Sequence, residues 1–179
     1  HALISQRPAV ASVPLPSRTI DSDTLVLVLQ AITGRARLLV RYQSIARDEE
    51  QRRFISPHAF GYDGTRWHVR AYCHLREGFR DFVVGRILEA GPLAAPMVDP
   101  SDDLDWHTSI ELVLTPDPSL SEKQRRGVEI DYGMKAGKAS LMCRRAMLFY
   151  TLRSLNFESN GKPRKGERQL VIANLDDIR

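Results

Sequence analysis

The stretch from residue 65 to residue 88 contains the side chains with the greatest potential for binding chemistry. If residues 66–74 form a strand, successive side chains point to opposite faces. One face is then apolar and carries Trp67, Val69, Ala71 and Cys73. The other face is polar and basic and carries Arg66, His68, Arg70, Tyr72 and His74. Imidazole, guanidinium and phenol groups together suit an anionic ligand.

Neighbouring segments add polar groups to this predicted basic face. Arg80 and Arg86 share one parity in the run 79–88, Ser56 and His58 do so in 54–62, and Tyr42 and Ser44 in 37–44. If the strands pair in register, these groups converge on one site. The predicted ligand-binding residues are Tyr42, Ser44, His58, His68, Arg70, Tyr72, His74, Arg80 and Arg86. A phosphate-bearing ligand would find donors there and rings on which bases could stack.

The same pattern also fits an exposed sheet surface on which long polar side chains are solvated. The composition of the run His68 to His74 favours the binding interpretation, because its polar positions contain no Asp, Glu or Lys. Solvated strands usually mix charges of both signs. We expect Trp67, on the opposite face, to be a core anchor, and the two cysteines to be small buried apolar residues.

Metal and enzyme chemistry find little support. His58, His68, His74 and Cys73 are potential ligands, but they lack HxxxH or CxxC spacing, and Cys73 and His74 point to opposite faces of a strand. The sequence shows no nucleophile elbow, glycine-rich phosphate loop or paired-carboxylate motif. We therefore predict a protein that is not an enzyme and holds no metal and no cofactor.

Composition is that of an ordinary globular protein. The 179 residues include 26 Lys and Arg against 22 Asp and Glu, a net charge of +4 that favours anionic partners only mildly. Two distant cysteines fit a reducing cytoplasm, and the longest apolar run, residues 25–29, is far too short for a membrane span. Because the chain begins with His1, we expect it to be a fragment or processed product of a longer protein.

The pattern of apolar residues and turn residues divides the chain. Residues 1–19 contain three prolines and predict a linker; residues 20–34 predict a helix capped by Asp21 or Ser22 and ended by Gly34. Four strand candidates follow, at 37–44, 54–62, 65–74 and 79–88, with a charged loop at 47–53 and a hairpin turn at Asp63-Gly64. Short antiparallel strands with tight turns favour a small curved sheet or barrel over residues 35–91.

A second domain is predicted after a linker at 92–108 that is rich in Pro and Asp. Over residues 109–179 the pattern changes to α/β. Strands are predicted at 109–114, near 139–144 and at 169–174, and helices at 121–132 and 146–156. Ser121 and Gln124 predict a capping box, and Leu148, Leu152 and Leu155 form a core-facing stripe.

These residues resemble a known family. The run Arg66-Trp-His-Val-Arg-Ala-Tyr72, followed by Phe79-Arg-Asp-Phe82 and Gly85-Arg-Ile87, resembles the WYL domain, whose naming tripeptide falls on Trp67, His68 and Val69. Tyr42-Gln-Ser44 and Ile55-Ser-Pro-His58 are similar to WYL regulators of the BrxR and CapW type, which are associated with bacterial anti-phage defence. Pro116-Asp-Pro-Ser-Leu-Ser121 and Glu129-Ile-Asp-Tyr-Gly-Met134 resemble the C-terminal extension domain of such regulators.

The resemblance implies an α+β protein: an Sm/SH3-like small β-barrel (the WYL domain) followed by a small α/β C-terminal extension domain. It implies a homodimeric transcription regulator, often a repressor, whose WYL domain senses a nucleotide or nucleic-acid-like effector. Operator DNA would be read by an N-terminal winged helix-turn-helix that this chain lacks. By position, the pocket would be lined by Tyr42, Ser44, His58, His68, Arg70, Arg80 and Arg86.

We therefore predict the ligand-sensing and dimerising portion of a bacterial transcription regulator, a repressor of a phage-defence operon. The alternative is a standalone single-stranded nucleic-acid binding module on the same fold. A nuclease or hydrolase would show turnover of the same oligonucleotides, and we expect none.

Overall fold

A computed structural model of the chain describes residues 9, 11–14, 16, 18–45, 50–166 and 169–178. The predicted linker over 1–19 therefore lies largely outside the described residues. Two antiparallel sheets, each with its own apolar core, follow one another along the chain. The predicted α+β class is confirmed.

The first helix, α1 (Ser22–Thr33), has the predicted cap and the predicted end, and it begins two residues after the predicted start at residue 20. The Asp21 carboxylate caps it by accepting a hydrogen bond from the backbone N–H of Thr24 at 2.8 Å, and Gly34 follows its last turn. The helix buries Val28 and Ala31 against the first sheet.

The first sheet has five antiparallel strands, and its order along the sheet is β4-β3-β2-β1-β5. The strands are β1 (Arg37–Gln43), β2 (Glu50–Tyr62), β3 (Trp67–Cys73), β4 (Gly78–Val83) and β5 (Ile87–Ala94). Because β4 and β5 lie at opposite edges and do not pair among the described residues, the sheet is not closed. The prediction of an Sm/SH3-like barrel is therefore not confirmed.

One face of this sheet forms the core with α1. Its fully buried side chains come from every other position of the central strands, as a half-buried strand requires. They include Leu38, Val40, Ile55, Val69, Ala71 and Cys73.

The segment predicted as one strand over 79–88 is divided in two. A 3-10 turn at Val84–Arg86 ends β4 and redirects the chain across the sheet into β5. Arg86 therefore lies in a turn and has no strand parity. The charged loop predicted at 47–53 is also shorter, because β2 already begins at Glu50.

The predicted linker at 92–108 is partly ordered structure that packs on the first sheet. Strand β5 extends into it to Ala94, a 3-10 turn follows at Pro100–Asp102, and helix α2 spans Leu104–His107. Asp103, between the last two, is one of the most deeply buried polar residues described. Its partners belong to the site described below.

The C-terminal part contains β6 (Ser109–Pro116), α3 (Glu122–Asp131), β7 (Ala139–Arg144), α4 (Leu148–Ser154) and β8 (Leu170–Ile172). The predicted elements are all present, including the capping box of Ser121 and Gln124. The sheet order is β7-β6-β8 and both pairings are antiparallel, so the parallel arrangement typical of α/β domains is not found. Leu112, Val128, Leu152 and Phe157 fill its core.

None of the helices in the described part of the chain has the length and apolar character needed to span a bilayer.

Candidate functional site

Strand β3 is buried on both of its faces. Val69, Ala71 and Cys73 lie in the apolar core, and on the other face His68 and Arg70 are only 3% and 6% exposed. The predicted basic face is therefore not an open surface. The segment around Asp103 and the helix α4 cover it, and they bring carboxylates and a phenol to the basic groups.

Arg70 is neutralised by two carboxylates. Its Nε and Nη2 donate to the two oxygens of Asp103 at 2.7 and 2.9 Å, and its Nη1 donates to Asp81 at 3.2 Å. Burial alone would lower the pKa of Arg70, but Asp103 and Asp81 keep it raised. Burial has the opposite effect on a carboxyl group and would raise the pKa of Asp103, but hydrogen bonds from Arg70 and His58 hold that pKa below its usual value. The pair is ionised and bidentate.

His58 completes the environment of Asp103. Its Nε2 lies 2.9 Å from Asp103 Oδ2, and its side chain is almost fully buried between Phe79 and Trp106. Burial lowers the pKa of His58 below its ordinary value, although the hydrogen bond to Asp103 opposes this effect. The imidazole is therefore held neutral at pH 7.

His68 is bound to Asp63 at the tip of the β2–β3 hairpin. Its Nε2 lies 2.8 Å from Asp63 Oδ2, and the other carboxylate oxygen accepts from the backbone N–H groups of Thr65 and Arg66. Burial would raise the pKa of Asp63, but the hydrogen bonds from His68, Thr65 and Arg66 keep it well below its usual range. The turn thus spans 63–66, longer than the predicted Asp63-Gly64 turn.

Tyr150 reaches this network from α4. Its ring centroid is 4.6 Å from that of His68, and its hydroxyl donates to Asp81 at 3.2 Å. Burial raises the pKa of the phenol, and the nearby Asp81 carboxylate adds to this effect. The hydroxyl therefore remains protonated.

Other predicted site residues are dispersed. Tyr42 lies in the core, where its ring packs edge-on against Phe82, so it points away from the face of Arg70. Arg80 lies opposite Ala71, and opposed residues project to the same face, so it too points away from Arg70. Arg80 and Arg70 both have even numbers, but the hairpin pairs Arg70 with Asp81, so the even positions of β3 and the even positions of β4 lie on opposite faces.

A second small cluster forms at the other end of β3. Ser56 Oγ lies 2.8 Å from His74 Nε2, and the ring of Tyr72 contacts those of His74 and Phe79. Ser44 follows the end of β1, away from this cluster. Burial lowers the pKa of His74, and Arg37 adds to that effect. No group of three or more His, Cys, Asp or Glu in the described parts of the chain is placed to hold a metal ion.

An open cavity of about 510 Å³ lies at the hairpin end of β3. The residues that line it include three arginines, two aromatic residues and a threonine of the hairpin turn: Arg18, Arg66, Arg86, Tyr62, Trp67 and Thr65. The rings of Tyr62 and Trp67 are 5.0 Å apart. Trp67 is 48% exposed, so its predicted role as a core anchor is wrong. We call this cavity the arginine cavity.

The cations of the arginine cavity differ from Arg70 in their pairing. Arg66 Nε lies 3.3 Å from Asp63 Oδ2, an oxygen that His68 also contacts. Within the described residues, no carboxylate lies at ion-pair distance from Arg18 or Arg86. The cavity therefore has a positive excess that is open to solvent. A second cavity, of about 470 Å³, shares Arg18, Thr65 and Arg66 and extends to Tyr150.

Of the predicted binding set, only Arg86 lines the arginine cavity. Sequence reasoning missed Arg66 and Trp67 as cavity residues, although their position directly after the Asp63-Gly64 turn places them at a strand end. Arg18 was missed because it lies in the predicted linker. Residue spacing alone gives no indication that these three residues line one cavity.

Two family descriptions match the chain. Residues 23–92 match the WYL domain, and residues 109–178 match the BrxR transcriptional regulator, C-terminal dimerization domain. A protein named DNA-binding transcriptional repressor CapW from Stenotrophomonas maltophilia is 44% identical over 182 residues, covering 100% of this chain and 60% of that protein. A protein of the same name from Pseudomonas aeruginosa is 39% identical over 171 residues, covering 95% of this chain and 57% of that protein.

The chain thus spans about 60% of the length of these curated relatives. Among solved structures, the proteasome accessory factor B/C (PafBC) of Arthrobacter aurescens aligns with a TM-score of 0.41 at 18% identity, covering 91% of this chain and 26% of that one. This likeness is too weak to assign details of the fold.

Replacing Asp103 by Asn tests whether the buried ion pair stabilises the fold. The amide cannot neutralise Arg70, so we expect the free energy of unfolding to fall by about 3–5 kcal/mol in urea titrations. Asp105→Asn is the matched control: its carboxylate is 58% exposed and 4.0 Å from Arg70. It should cost less than about 0.5 kcal/mol. Equal losses in the two variants would contradict a special role for Asp103.

The lowered pKa of His58 predicts that acidification destabilises the fold. The unfolded chain takes up this proton near the ordinary histidine pKa, before the folded chain does, so the free energy of unfolding should decrease as pH falls from about 7.5 to about 5.5. His58→Gln should make that decrease shallower. Part of the pH dependence that remains is expected from His74, whose pKa is also lowered by burial. Urea titrations across this range measure it, and a slope in His58→Gln as steep as in wild type would disprove the assignment.

Proposed function

This chain belongs to the WYL-domain proteins whose C-terminal part is a BrxR-type dimerization domain, and we propose from this premise that it is the effector-binding and dimer-forming part of a transcription regulator. Its relatives are named DNA-binding transcriptional repressors. The proposed role is repression, without a catalytic step, of a phage-defence operon in the cytoplasm. Operator DNA would be bound by a further part of the whole protein.

The arginine cavity is the proposed effector site. Guanidiniums bind phosphate oxygens in bidentate geometry, and the exposed rings of Tyr62 and Trp67 offer surfaces on which a base can stack. The proposed effector is therefore a nucleotide or a short single-stranded nucleic acid. The single observation that carries this proposal is the positive charge of Arg18 and Arg86 beside those rings, which no carboxylate among the described residues pairs with.

Three of the other predicted binding residues, His58, His68 and Arg70, support the cavity instead of lining it. His68 holds Asp63, and Asp63 in turn shapes the 63–66 turn that presents Arg66 and Trp67. Arg70 and His58 fix the covering segment through Asp103. An anion at Arg70 would have to displace a buried carboxylate, whereas at Arg86 no carboxylate among the described residues stands in its way.

Regulation requires that the effector distinguish two states of the protein. A ligand with equal affinity for two dimer geometries leaves the equilibrium between them unchanged, so the effector must bind one geometry more tightly. The second cavity offers a physical route, because it joins the arginine cavity to Tyr150 of the C-terminal domain. The proposed change is a shift in the relation between the two domains, which would alter the spacing of DNA-reading elements in the dimer.

Homodimerisation is proposed to use the edge strand β7. Among the described residues this strand pairs on one side only, with β6, and Met142 on it is 67% exposed. An exposed apolar edge strand is a template for pairing with another chain. The proposed occupant is a second copy, because this part of the chain matches a dimerization domain.

The alternative function, a general single-stranded nucleic-acid binder, is favoured by the openness of the cavity and by its two neighbouring exposed aromatic rings. Salt and length dependence separate the two functions. A general binder gains affinity steadily with oligonucleotide length and loses it steeply with salt. A sensor binds a ligand of limited size, with no further gain beyond the length that fills the cavity.

Arg86→Ala tests the proposed effector site, and Arg80→Ala is its matched control. Both arginines belong to the predicted binding set, but only Arg86 lines the cavity. With labelled 5′-phosphorylated oligothymidylates we expect Arg86→Ala to weaken binding at least about tenfold, as for a lost charge-assisted hydrogen bond. Its salt slope should drop by about 0.7 for each lost phosphate contact.

Arg80→Ala should retain wild-type binding and salt slope in fluorescence anisotropy titrations. Equal weakening in the two variants would indicate non-specific attraction to surface charge. Unchanged binding in Arg86→Ala alone would refute the arginine cavity as the site.

Met142→Lys tests the proposed dimer interface. A charge on the shared edge of β7 would face its own copy across a two-fold axis, so dimer dissociation should be favoured at least about tenfold. Sedimentation velocity over a range of concentrations measures this. Leu104→Lys, at another exposed apolar position on α2, is the control and should leave the dimer intact. An unchanged dimer in Met142→Lys would exclude this edge.

A further inference from the structure

Tyr150 projects from α4 of the C-terminal domain into the polar network of the first sheet. Its hydroxyl donates to Asp81 Oδ2 at 3.2 Å and lies 3.4 Å from Nδ1 of His68. The phenol ring also stacks at a tilt on the imidazole. A side chain of one domain therefore contacts both the imidazole and the carboxylate of the other.

Asp63 connects this network to the arginine cavity. Its Oδ2 accepts from His68 Nε2 at 2.8 Å and from Arg66 Nε at 3.3 Å, and its side chain is nearly fully buried. Arg66 lines both cavities. His68 and Arg66 thus share one carboxylate oxygen, and any weakening of one contact leaves more negative charge for the other.

The two nitrogens of His68 are not independent. The partner at Nδ1 determines the orientation of the ring and which nitrogen carries hydrogen, and thereby how well Nε2 donates to Asp63. The hydroxyl oxygen of Tyr150 is that partner: its single hydrogen is directed to Asp81, so the oxygen accepts a hydrogen bond from Nδ1–H, and His68 then donates through both ring nitrogens. An unbroken chain of contacts consequently runs from Tyr150 through His68 and Asp63 to Arg66.

We propose that Tyr150 is a positioning residue of the effector site: it holds His68 against Asp63, and so limits how strongly Asp63 withdraws Arg66 from an anion in the cavity. This inference rests on the proposed function, because it assumes that the arginine cavity binds an anion. It assigns to the C-terminal domain a direct influence on effector affinity. By linkage, effector binding then favours the packing of α4 on the first sheet to the same degree.

A double-mutant cycle tests the proposal. Tyr150→Phe keeps the ring but removes the hydroxyl, so His68 donates less well and Asp63 holds Arg66 more tightly. Binding of the labelled 5′-phosphorylated oligothymidylate and of inorganic pyrophosphate should weaken about three- to tenfold, the range for one hydrogen bond. In an Arg66→Ala background, Tyr150→Phe should have little further effect, because the residue through which it acts is gone.

Two controls separate positioning from a general loss of stability. In an Arg86→Ala background the effect of Tyr150→Phe should persist in full, since Arg86 does not contact Asp63. Tyr132→Phe removes a hydroxyl elsewhere in the C-terminal domain and should leave binding unchanged. In addition, the imidazole nitrogen shifts of His68, measured by ¹⁵N NMR, should change in Tyr150→Phe and not in Tyr132→Phe.

The outcomes distinguish the two proposals. Loss of binding that is equal in the wild-type and Arg66→Ala backgrounds, or unchanged His68 shifts, would overturn the role of Tyr150 while the effector site stands. Wild-type protein that binds neither probe, or Arg86→Ala protein that binds both normally, would overturn the proposed function and this inference with it.

Discussion

The buried ion pair between Arg70 and Asp103 is the interaction on which the arrangement of the two domains depends. It fastens the centre of β3 to the short segment that precedes α2, and β6 begins only a few residues later. Trp106 extends the attachment, since its ring contacts His58 and lies 4.7 Å below the guanidinium of Arg144 at the end of β7. A buried guanidinium without its carboxylate would be strongly unfavourable, so the path of this segment is fixed once β3 has formed.

Features that depend on local sequence could be predicted, and the structure has them. The Asp21 cap and the Ser121 capping box need only residues within one helical turn, and the stripe of Leu148, Leu152 and Leu155 needs only helical spacing. The burial of both faces of β3 could not be predicted in this way. Asp103 lies 33 residues from Arg70 in a stretch whose composition is typical of a linker, and strand periodicity carries no information about what covers a face.

The predicted binding set and the arginine cavity share one residue, Arg86, and the strand parity that predicts it does not apply there. Strand parity predicts Arg86 as a ligand-binding residue, yet Arg86 lies in a 3-10 turn. The turn, and not a strand face, places it at the cavity. Arg80 was selected by the same parity, but the register that pairs it with Ala71 turns it away from Arg70. Trp67 is apolar and alternates with basic residues, which favours a core position. It is the first residue of β3, however, and a strand end leaves its side chain uncovered.

The two groups of basic residues therefore have different physical roles. The first group is buried and consists of His58, His68 and Arg70. Each of these side chains already contacts a carboxylate, and those contacts stabilise the fold. Arg18 and Arg86 lie at the rim in contact with solvent, where an anion gains a guanidinium partner without separating a buried pair. Arg66 stands between the groups, because its carboxylate is shared with His68. In the proposed effector site, an anion in the cavity would act on the buried network through this shared cation, and through Tyr150 on the packing of the C-terminal domain.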